Sequence, residues 1–197
     1  MKKTTARFVI SAAKADEFPA ENLPELAVVG RSNVGKSSLI NTLVQQDGLA
    51  RTSRTPGRTR LVNWFEVDGK FHLVDLPGFG YAAVDKNTRE SWKPLIEAYL
   101  AKRKTLAGVL LLIDVRRGAE EEELDFVPWL AERAIPVVVA LTKCDKLAKH
   151  KRTLEVMKAK QTLKLKRDPL AVSAQTADGI DDLWKAILRL VEPPKNP

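Results

Sequence analysis

One segment near the amino terminus constrains the fold more than any other: residues 30–38 have the sequence Gly-Arg-Ser-Asn-Val-Gly-Lys-Ser-Ser. The spacing G-x-x-x-x-G-K-[ST] is typical of a loop whose backbone N–H groups cradle phosphates. The apolar run 26–29 before it predicts a buried strand, and the apolar positions of 36–43 share one helical face. A glycine turn that leads from a strand into a helix N-terminus favours a bound anion. The segment therefore predicts a nucleoside-phosphate site.

The residue types in this loop match what phosphates require. Gly30 and Gly35 allow the backbone to approach a ligand closely. Lys36 supplies a point charge for the β- and γ-phosphates and is a candidate catalytic residue, and the hydroxyl of Ser37 can ligate Mg²⁺. The predicted nucleotide contacts in the loop are Gly30, Arg31, Ser32, Asn33, Val34, Gly35, Lys36, Ser37 and Ser38.

Length and composition fit one α/β domain. The chain has 197 residues, of which 44% are hydrophobic, which is enough for a sizeable core. Its one cysteine, Cys144, excludes an internal disulfide and suits a reducing cytoplasm. No apolar run approaches the ~20 residues of a membrane span. We expect a soluble cytoplasmic protein.

The remaining pattern predicts a mostly parallel sheet. Runs 61–67 and 70–75 flank Asp68-Gly69, which is a strong hairpin signal. Further apolar runs then alternate with helical patterns, and uninterrupted Val/Leu/Ile strands are typical of a sheet covered on both faces. The predicted strands are 108–114, 136–141 and 170–173, and the predicted helices are about 88–104, 120–133, 148–166 and 180–191.

These elements predict a doubly wound, six-stranded sheet with one antiparallel edge strand and helices on both faces. We expect residues 1–22 to form an arm or a short strand, 23–191 to form the domain, and 192–197 to form a frayed tail. Ligands of such sheets bind outside the carboxyl ends of the strands. The motifs described next follow predicted strand ends.

The first of these motifs is Asp-Leu-Pro-Gly at 75–78, at the end of the strand 70–75. Asp75 can hold the hydration shell of Mg²⁺ opposite the phosphate loop. Gly78 can donate its N–H to the γ-phosphate, so that the loop after it senses this phosphate, and it is a candidate catalytic residue. The predicted contacts in this motif are Asp75, Leu76, Pro77 and Gly78.

A second motif, Thr-Lys-Cys-Asp, follows the strand 136–141. The two oxygens of Asp145 suit the adjacent imino and amino donors of guanine, which adenine lacks. The stem of Lys143 can cover the base. Taken alone, Asp145 is as well explained as a helix cap, and Cys144 is better explained as a small packing residue than as a nucleophile. The predicted base contacts are Thr142, Lys143, Cys144 and Asp145, joined by Val172, Ser173 and Ala174 at the end of the next strand.

Positive charge is concentrated in one segment. The chain carries a formal net charge of +8, and residues 146–167 alone contain nine Lys or Arg and one acid, Glu155. So local an excess predicts a basic face suited to RNA. The alternative is a solvated lysine-rich helix.

The motifs together resemble the EngB (YihA/YsxC) GTP-binding proteins of bacteria. The likeness covers essentially residues 6–191, includes Trp92 and the helix around 95–100, and is most specific in Thr-Pro-Gly-Arg-Thr at 55–59 and Pro-Gly-Phe-Gly-Tyr-Ala at 77–82. The resemblance implies a Ras-like P-loop GTPase domain that uses GTP, GDP and Mg²⁺. It also implies a role in large-subunit assembly of the ribosome and in normal septation during cell division.

The resemblance assigns Mg²⁺ to Ser37 and Thr59, beside the strand-end carboxylate of Asp75, and makes Thr59 a candidate catalytic residue. Spacing alone does not choose Thr59 from the hydroxyl residues at 52, 53 and 55. The arginines at 51, 54, 58 and 60 either contact phosphate-bearing partners or are charges of a loop. The implied nucleotide contacts here are Gly57, Arg58, Thr59, Arg60 and Leu61.

Two positions bear on the rate of hydrolysis. Many Ras-like enzymes have a water-orienting glutamine after D-x-x-G, whereas this chain has Phe79, whose side chain forms no hydrogen bond. We therefore expect slow intrinsic hydrolysis. Asn33 either stabilises the turn or, as in related potassium-dependent GTPases, helps to hold K⁺ beside the phosphates.

The leading hypothesis is a monomeric GTPase switch that docks on the large ribosomal subunit or its precursor, made of rRNA and ribosomal protein. One alternative is a GTP-dependent scaffold for a septation partner, in which hydrolysis is incidental. An ATP-dependent P-loop kinase is disfavoured by Asp145 and by the lack of an obvious lid or second-substrate site.

Overall fold

The computed structural model describes residues 4–50, 61–78 and 95–192. Across these ranges the chain forms one sheet of seven strands and five α-helices. The strands are β1 (Ala6–Ala12), β2 (Glu25–Gly30), β3 (Val62–Val67), β4 (Phe71–Asp75), β5 (Leu106–Asp114), β6 (Val137–Thr142) and β7 (Leu170–Ala171). The helices are α1 (Lys36–Val44), α2 with its described part at 95–102, α3 (Glu121–Glu132), α4 (Lys149–Thr162) and α5 (Ile180–Val191).

The sheet has the strand order β1-β3-β4-β2-β5-β6-β7. β3 pairs antiparallel with both of its neighbours, and all pairs from β4 to β7 are parallel. The predicted fold class is therefore confirmed, but the sheet has seven strands rather than six. β3 is not an edge strand, because β1 covers its outer side. A shift of register between Phe8 and Ile10 interrupts the alternation that would mark β1 in the sequence.

The predicted hairpin connects β3 and β4. Asp68 and Gly69 both have positive φ values, 51° and 64°, which Asp and Gly tolerate in tight turns. The antiparallel register that follows places Val67 opposite Phe71 and Asn63 opposite Asp75. The hairpin thereby places Asp75 at the same edge of the sheet as the end of β2, with which β4 pairs in parallel.

Helices cover both faces of the sheet. On one face α1 and α5 pack against strand residues such as Leu26 and Val28. On the other face α2, α3 and α4 pack against the alternate positions, among them Ala27 and Val29. Both faces of the central strands are thus buried, which explains their uninterrupted apolar sequences.

One helix is shorter than predicted. α4 ends at Thr162 rather than near residue 166, because Lys164 has a φ of 52° and leaves the helical conformation. The first part of the predicted helix 88–104 lies outside the described residues. None of the helices in the described ranges combines the length and apolar content that a bilayer crossing needs.

Candidate nucleotide-binding site

The phosphate loop lies between the end of β2 and the start of α1. A Cβ at Gly30 would lie 2.8 Å from the carbonyl oxygen of Leu112, so the loop leaves the sheet where only glycine fits. Gly35 has a φ of 99° and is the N-cap of α1. Asn33 also has a positive φ, 65°, a conformation that asparagine tolerates. These turns bring Lys36, Ser37 and Ser38 into the first turn of α1, where backbone N–H groups are available to an anion.

The D-x-x-G motif lies directly against this loop. Lys36 and Asp75 form an ion pair, with only 10% and 6% of their side chains exposed. A Cβ at Gly78 would lie 3.2 Å from the carbonyl oxygen of Gly30 and 3.3 Å from the backbone nitrogen of Ser32. Leu76 and Pro77, which connect Asp75 to Gly78, are buried. The structure thus brings the two predicted phosphate motifs together.

The donors near this ion pair suit Mg²⁺. Mg²⁺ prefers oxygen ligands, and it is commonly held by one or two carboxylates together with the phosphates of a nucleotide. Asp75 supplies a carboxylate and Ser37 a half-buried hydroxyl at the start of α1. Within the described ranges no group of three or more His, Cys, Asp or Glu side chains could hold a metal ion. Thr59, the other predicted ligand, lies outside those ranges.

Thr142 joins the guanine motif to the phosphate loop. Its hydroxyl is buried at the end of β6 and donates a hydrogen bond of 2.7 Å to the carbonyl oxygen of Val34. The carbonyl oxygen of Ile113 in β5 lies 3.3 Å from the same hydroxyl. Thr142 was predicted as a base contact, and the structure shows that its hydroxyl holds the loop in place.

Lys143 makes a second connection. Its backbone has a φ of 60°, and its Nζ donates a hydrogen bond of 2.6 Å to the carbonyl oxygen of Asn33. The same Nζ lies 3.0 Å from Oδ2 of Asp114. Its stem passes beside Gly35, since a Cβ at that position would lie 3.7 Å from Cε of Lys143. One ammonium group therefore links the loop, the guanine motif and the end of β5.

Asp114 was not among the predicted site residues. Burial opposes its ionisation, but hydrogen bonds from Arg116 and Lys143 outweigh burial and hold the pKa of Asp114 well below its usual range. Arg116 donates from Nε at 2.9 Å and from Nη2 at 2.6 Å. In the sequence, Asp114 is an acid at the end of an apolar strand, with two arginines at 116 and 117. This pattern does not indicate that Lys143 is its partner.

Asp145 lies in a short 3₁₀ helix, Cys144–Lys146. Ser173 donates a hydrogen bond of 2.7 Å to its Oδ1, and the Nζ of Lys146 lies 3.0 Å from its Oδ2. These two contacts, the one from Ser173 foremost, lower the pKa of Asp145. The N-cap of α4 is Ala148, so Asp145 does not cap that helix.

Residues 172–174, which follow β7, are hydrogen-bonded to the guanine motif and to α1. The backbone nitrogen of Cys144 donates to the carbonyl oxygen of Val172 at 3.1 Å. The hydroxyl of Thr42 in α1 donates to the carbonyl oxygen of Ala174 at 3.1 Å. Ser173 is fully buried, and its hydroxyl accepts hydrogen bonds from the backbone N–H groups of Gln175 and Thr176. Burial of Cys144 raises the pKa of its thiol, which fits a packing residue.

Arg31 connects the phosphate loop to α3, a contact that the sequence did not predict. Its Nη1 lies 3.0 Å from Oε2 of Glu120 and also pairs with Glu122 at the start of α3. Of the other predicted contacts, Leu61 is exposed just before β3. The remaining ones lie outside the described residues: Gly57, Arg58, Thr59 and Arg60, together with Phe79.

The fold and this arrangement define a P-loop nucleotide-binding domain of the GTPase class. Two family models match the chain: one described as "50S ribosome-binding GTPase" over residues 25–143, and one described as "Elongation factor Tu GTP binding domain" over residues 95–193. The fold class predicted from the resemblance is also that of solved GTP-binding proteins, as the following comparisons show.

The chain is 46% identical to the probable GTP-binding protein EngB of Citrifermentans bemidjiense, over 94% of this chain and 87% of that protein. It is 47% identical to the protein of the same description from Pelobacter propionicus, over 96% of both. A solved structure of a probable GTP-binding protein engB, 25% identical, matches 85% of this chain and 98% of its own with a TM-score of 0.71. The chain belongs to the EngB family of GTP-binding proteins, which confirms the resemblance and, with it, GTP as the ligand.

Proposed function

We propose that this protein is a Mg²⁺-dependent GTPase, slow on its own, that acts in the cytoplasm as a nucleotide switch in assembly of the large ribosomal subunit. Through that role it is needed for normal septation. The observation that carries the proposal is the convergence of three motifs at one sheet edge, where Lys143 contacts both Asn33 of the phosphate loop and Asp114. The description of the matching family model, a 50S ribosome-binding GTPase, supports the choice of partner.

The residues at this edge can divide the work on GTP. The start of α1 and the Lys36 ammonium bind the phosphates, and Asp145, kept ionised by Ser173, accepts the guanine donors. Mg²⁺, when bound, neutralises charge on the β- and γ-phosphates. Ser37 would hold it directly and Asp75 through its hydration shell, with Thr59 as the further ligand.

Gly78 is suited to sense the γ-phosphate. Its close approach to Gly30 and Ser32 puts its backbone within reach of whatever the phosphate loop binds. Contacts of a γ-phosphate and Mg²⁺ order switch segments in GTPases, and hydrolysis releases them. The segment that begins after Gly78 and the segment around Thr59 are therefore the proposed switches.

The proposed slow rate rests on Phe79, which cannot orient water through its side chain. K⁺ beside the phosphates is a further proposal. The positive φ of Asn33 supports its role in the turn, and its carbonyl oxygen is engaged by Lys143, which leaves the amide side chain as the candidate K⁺ ligand. If Asn33 holds K⁺, exchange of Na⁺ for K⁺ raises the hydrolysis rate and Asn33→Ala abolishes that gain. Equal rates in both salts would remove K⁺ from the proposal.

The segment 146–167 supplies the proposed RNA contact. Four of its nine cations form ion pairs: Lys146 with Asp145 at 3.0 Å, Arg152 with Asp178 at 3.1 Å, Lys158 with Glu155 at 4.0 Å and Lys160 with Asp168 at 2.7 Å. Five others form no ion pair with any carboxylate of the described residues, so they are available to phosphates. These are Lys149, Lys151, Lys164, Lys166 and Arg167.

A turnover assay tests the enzymatic part of the proposal. GTP hydrolysis is measured with and without Mg²⁺, and with and without purified large subunits. We expect activity only with Mg²⁺, a low rate for the isolated protein and a higher rate with large subunits. A rate that large subunits do not change would favour the scaffold for a septation partner, and hydrolysis of ATP at the same rate as GTP would contradict the site.

A further inference from the structure

The outward stripe of α4 is apolar at its centre. Leu154 is 61% exposed and Met157 is 55% exposed, more than any other large apolar side chain in the part of the chain that the structure describes. They lie three residues apart and are therefore neighbours on the helix surface. His150 and Gln161 extend the stripe and are also exposed. A helix face that is merely solvated would be polar here.

These two side chains are not needed to attach α4 to the domain. The opposite side of the helix packs on the core, with Ala159 buried and Val156 partly buried against the same cluster. Leu163, just past the helix, completes this contact. Substitutions at Leu154 and Met157 therefore change the surface and leave the packed side of α4 intact.

Lysines flank the apolar pair on both sides. Lys151 and Lys158 lie three residues before and four residues after Leu154, and Lys160 lies three residues after Met157. Lys151 forms no ion pair with the described carboxylates, and Lys158 lies only within 4.0 Å of Glu155, whereas Lys160 pairs with Asp168 at 2.7 Å. The stripe is thus a small apolar surface with two cations, Lys151 and Lys158, available along one side.

We propose that this stripe docks on an acidic segment of a protein partner that carries apolar side chains of its own. Burial of Leu154 and Met157 against apolar side chains of a partner would stabilise the complex. Carboxylates of the partner beside those side chains would complement the flanking lysines. Methionine adapts readily to such a surface. The proposal rests on the proposed function, because it places the partner among the proteins of the large-subunit particle.

RNA fits this stripe less well. Single-stranded bases are held by stacking on aromatic side chains or arginine, whereas residues 146–167 contain no Phe, Tyr or Trp, and His150 is the one aromatic ring of the stripe. The phosphate backbone of a duplex binds cations but has no apolar surface against which Leu154 and Met157 could be buried. The RNA contact is therefore assigned to the cations beyond the helix end: Lys164, Lys166 and Arg167.

Two matched double variants test the assignment. Leu154→Lys with Met157→Lys removes the apolar pair and adds two positive charges. Thr153→Lys with Thr162→Lys adds the same charge at two exposed polar positions of the same helix that lie outside the stripe. Each is titrated against purified large subunits in the GTP form, and GTP affinity verifies the fold of each variant.

We expect the first variant to bind large subunits at least ~10-fold more weakly, as loss of two buried apolar side chains requires, and the second to bind as tightly as the unmodified protein or more so. If the first variant binds no more weakly than the unmodified protein, the added lysines contact RNA phosphates at this surface and the inference is wrong. A photo-crosslinker at position 154 gives a second measurement. An adduct that protease degrades and ribonuclease does not supports protein docking, and an adduct to RNA overturns it. Failure of the unmodified protein to bind large subunits would instead contradict the proposed function, and the docking partner with it.

Discussion

Among single residues, Lys143 explains best how this site works. Its ammonium contacts the carbonyl oxygen of Asn33 and the carboxylate of Asp114, and the hydroxyl of its neighbour Thr142 holds Val34. The part of the site suited to the base and the part suited to the phosphates are thus connected by direct hydrogen bonds. A change at either part is expected to affect the other.

Guanine specificity should depend on Asp145. Asp145→Asn removes one acceptor and turns a donor toward the guanine donors, which costs several kcal/mol in a desolvated site, or roughly 10³-fold in GTP affinity. Xanthine presents a carbonyl at that position and should bind the variant better than guanine does. Fluorescence titration with GTP and XTP measures both. Asp178→Asn, which changes a carboxylate paired with Arg152, is the control and should leave both affinities unchanged.

The same carboxylate sets a limit on pH. Contacts from Ser173 and Lys146 lower its pKa, so Asp145 stays ionised below the usual range for aspartate and guanine recognition persists there. Recognition should fail only when the pH falls through that lowered pKa.

For the substitution of this carboxylate, unchanged GTP affinity in Asp145→Asn would show that the guanine motif is assigned wrongly.

Asp114 should act on the nucleotide through Lys143. Asp114→Asn keeps the shape but removes the charge that anchors the ammonium, so we expect GTP to bind about 10-fold more weakly, as for loss of a charged hydrogen bond. Lys143→Met should remove the interaction completely. If Asp114 acts through Lys143, the double variant binds GTP no more weakly than Lys143→Met alone. Additive losses in this cycle would contradict the link.

At the scale of elements, β2 carries an anchored polar cluster at the end opposite the phosphate loop. Glu25 is fully buried at the start of β2 and accepts hydrogen bonds from Tyr99 at 2.8 Å and from Nη2 of Arg103 at 2.6 Å. Burial, with the neighbouring Glu25, raises the pKa of Tyr99 well above its usual value, so the phenol remains a donor. The cluster fixes α2 against the strand that leads to the phosphate loop.

Glu25→Gln should therefore destabilise the fold. It leaves Arg103, whose side chain is 7% exposed, without its counter-charge, and breaking a buried pair in this way costs about 3–5 kcal/mol. Urea denaturation measures the change in unfolding free energy. Glu66→Gln breaks a pair with the exposed Arg7 and serves as the control, with little expected change. Equal effects of the two substitutions would contradict the role of the cluster.

Much of the element order could be predicted from the sequence, because uninterrupted apolar strands and periodic helices leave few alternatives. β2, β5 and β6 were found within two residues of their predicted ends. The sequence did not decide between a strand and an irregular arm for β1, because the bulge after Phe8 breaks its alternation. The end of α4 depends on the backbone conformation of Lys164. These features depend on pairing and on single dihedral angles, which periodicity does not show.

The candidate site was predictable where one motif contains its own chemistry. The phosphate loop and the guanine motif each combine residue types and spacing that suit one ligand. Asp114 and the contact between Arg31 and α3 could not be predicted, because each partner lies far away in the chain and on a different element. Such contacts follow from the order of strands in the sheet.

Over the whole molecule, the excess of positive charge is concentrated in one segment, 146–167. Five cations of 146–167 lack ion pairs with the described carboxylates. If the three beyond the helix end, Lys164, Lys166 and Arg167, contact phosphates, a fourfold rise in salt should weaken binding to large subunits by about 40-fold, from counterion release. Charge reversal of Lys164, Lys166 and Arg167 should weaken binding in both nucleotide forms and reduce this salt dependence.

The matched control for that surface reverses three exposed lysines elsewhere on the molecule, Lys14, Lys70 and Lys102. It changes the net charge equally and so separates a local contact from a general electrostatic effect. Equal weakening by both triple variants would argue against a defined RNA surface.

If the nucleotide in this site controls docking on the large ribosomal subunit, one protein in two nucleotide forms should differ in its affinity for that subunit. Equilibrium binding to purified large subunits is measured at one ionic strength with a non-hydrolysable GTP analogue and with GDP. We expect the GTP form to bind at least ~5-fold more tightly, the lower range of allosteric coupling, and Thr59→Ala to erase most of that difference. Equal affinities of the two forms, or a GTP form that ignores large subunits at low salt, would contradict the account.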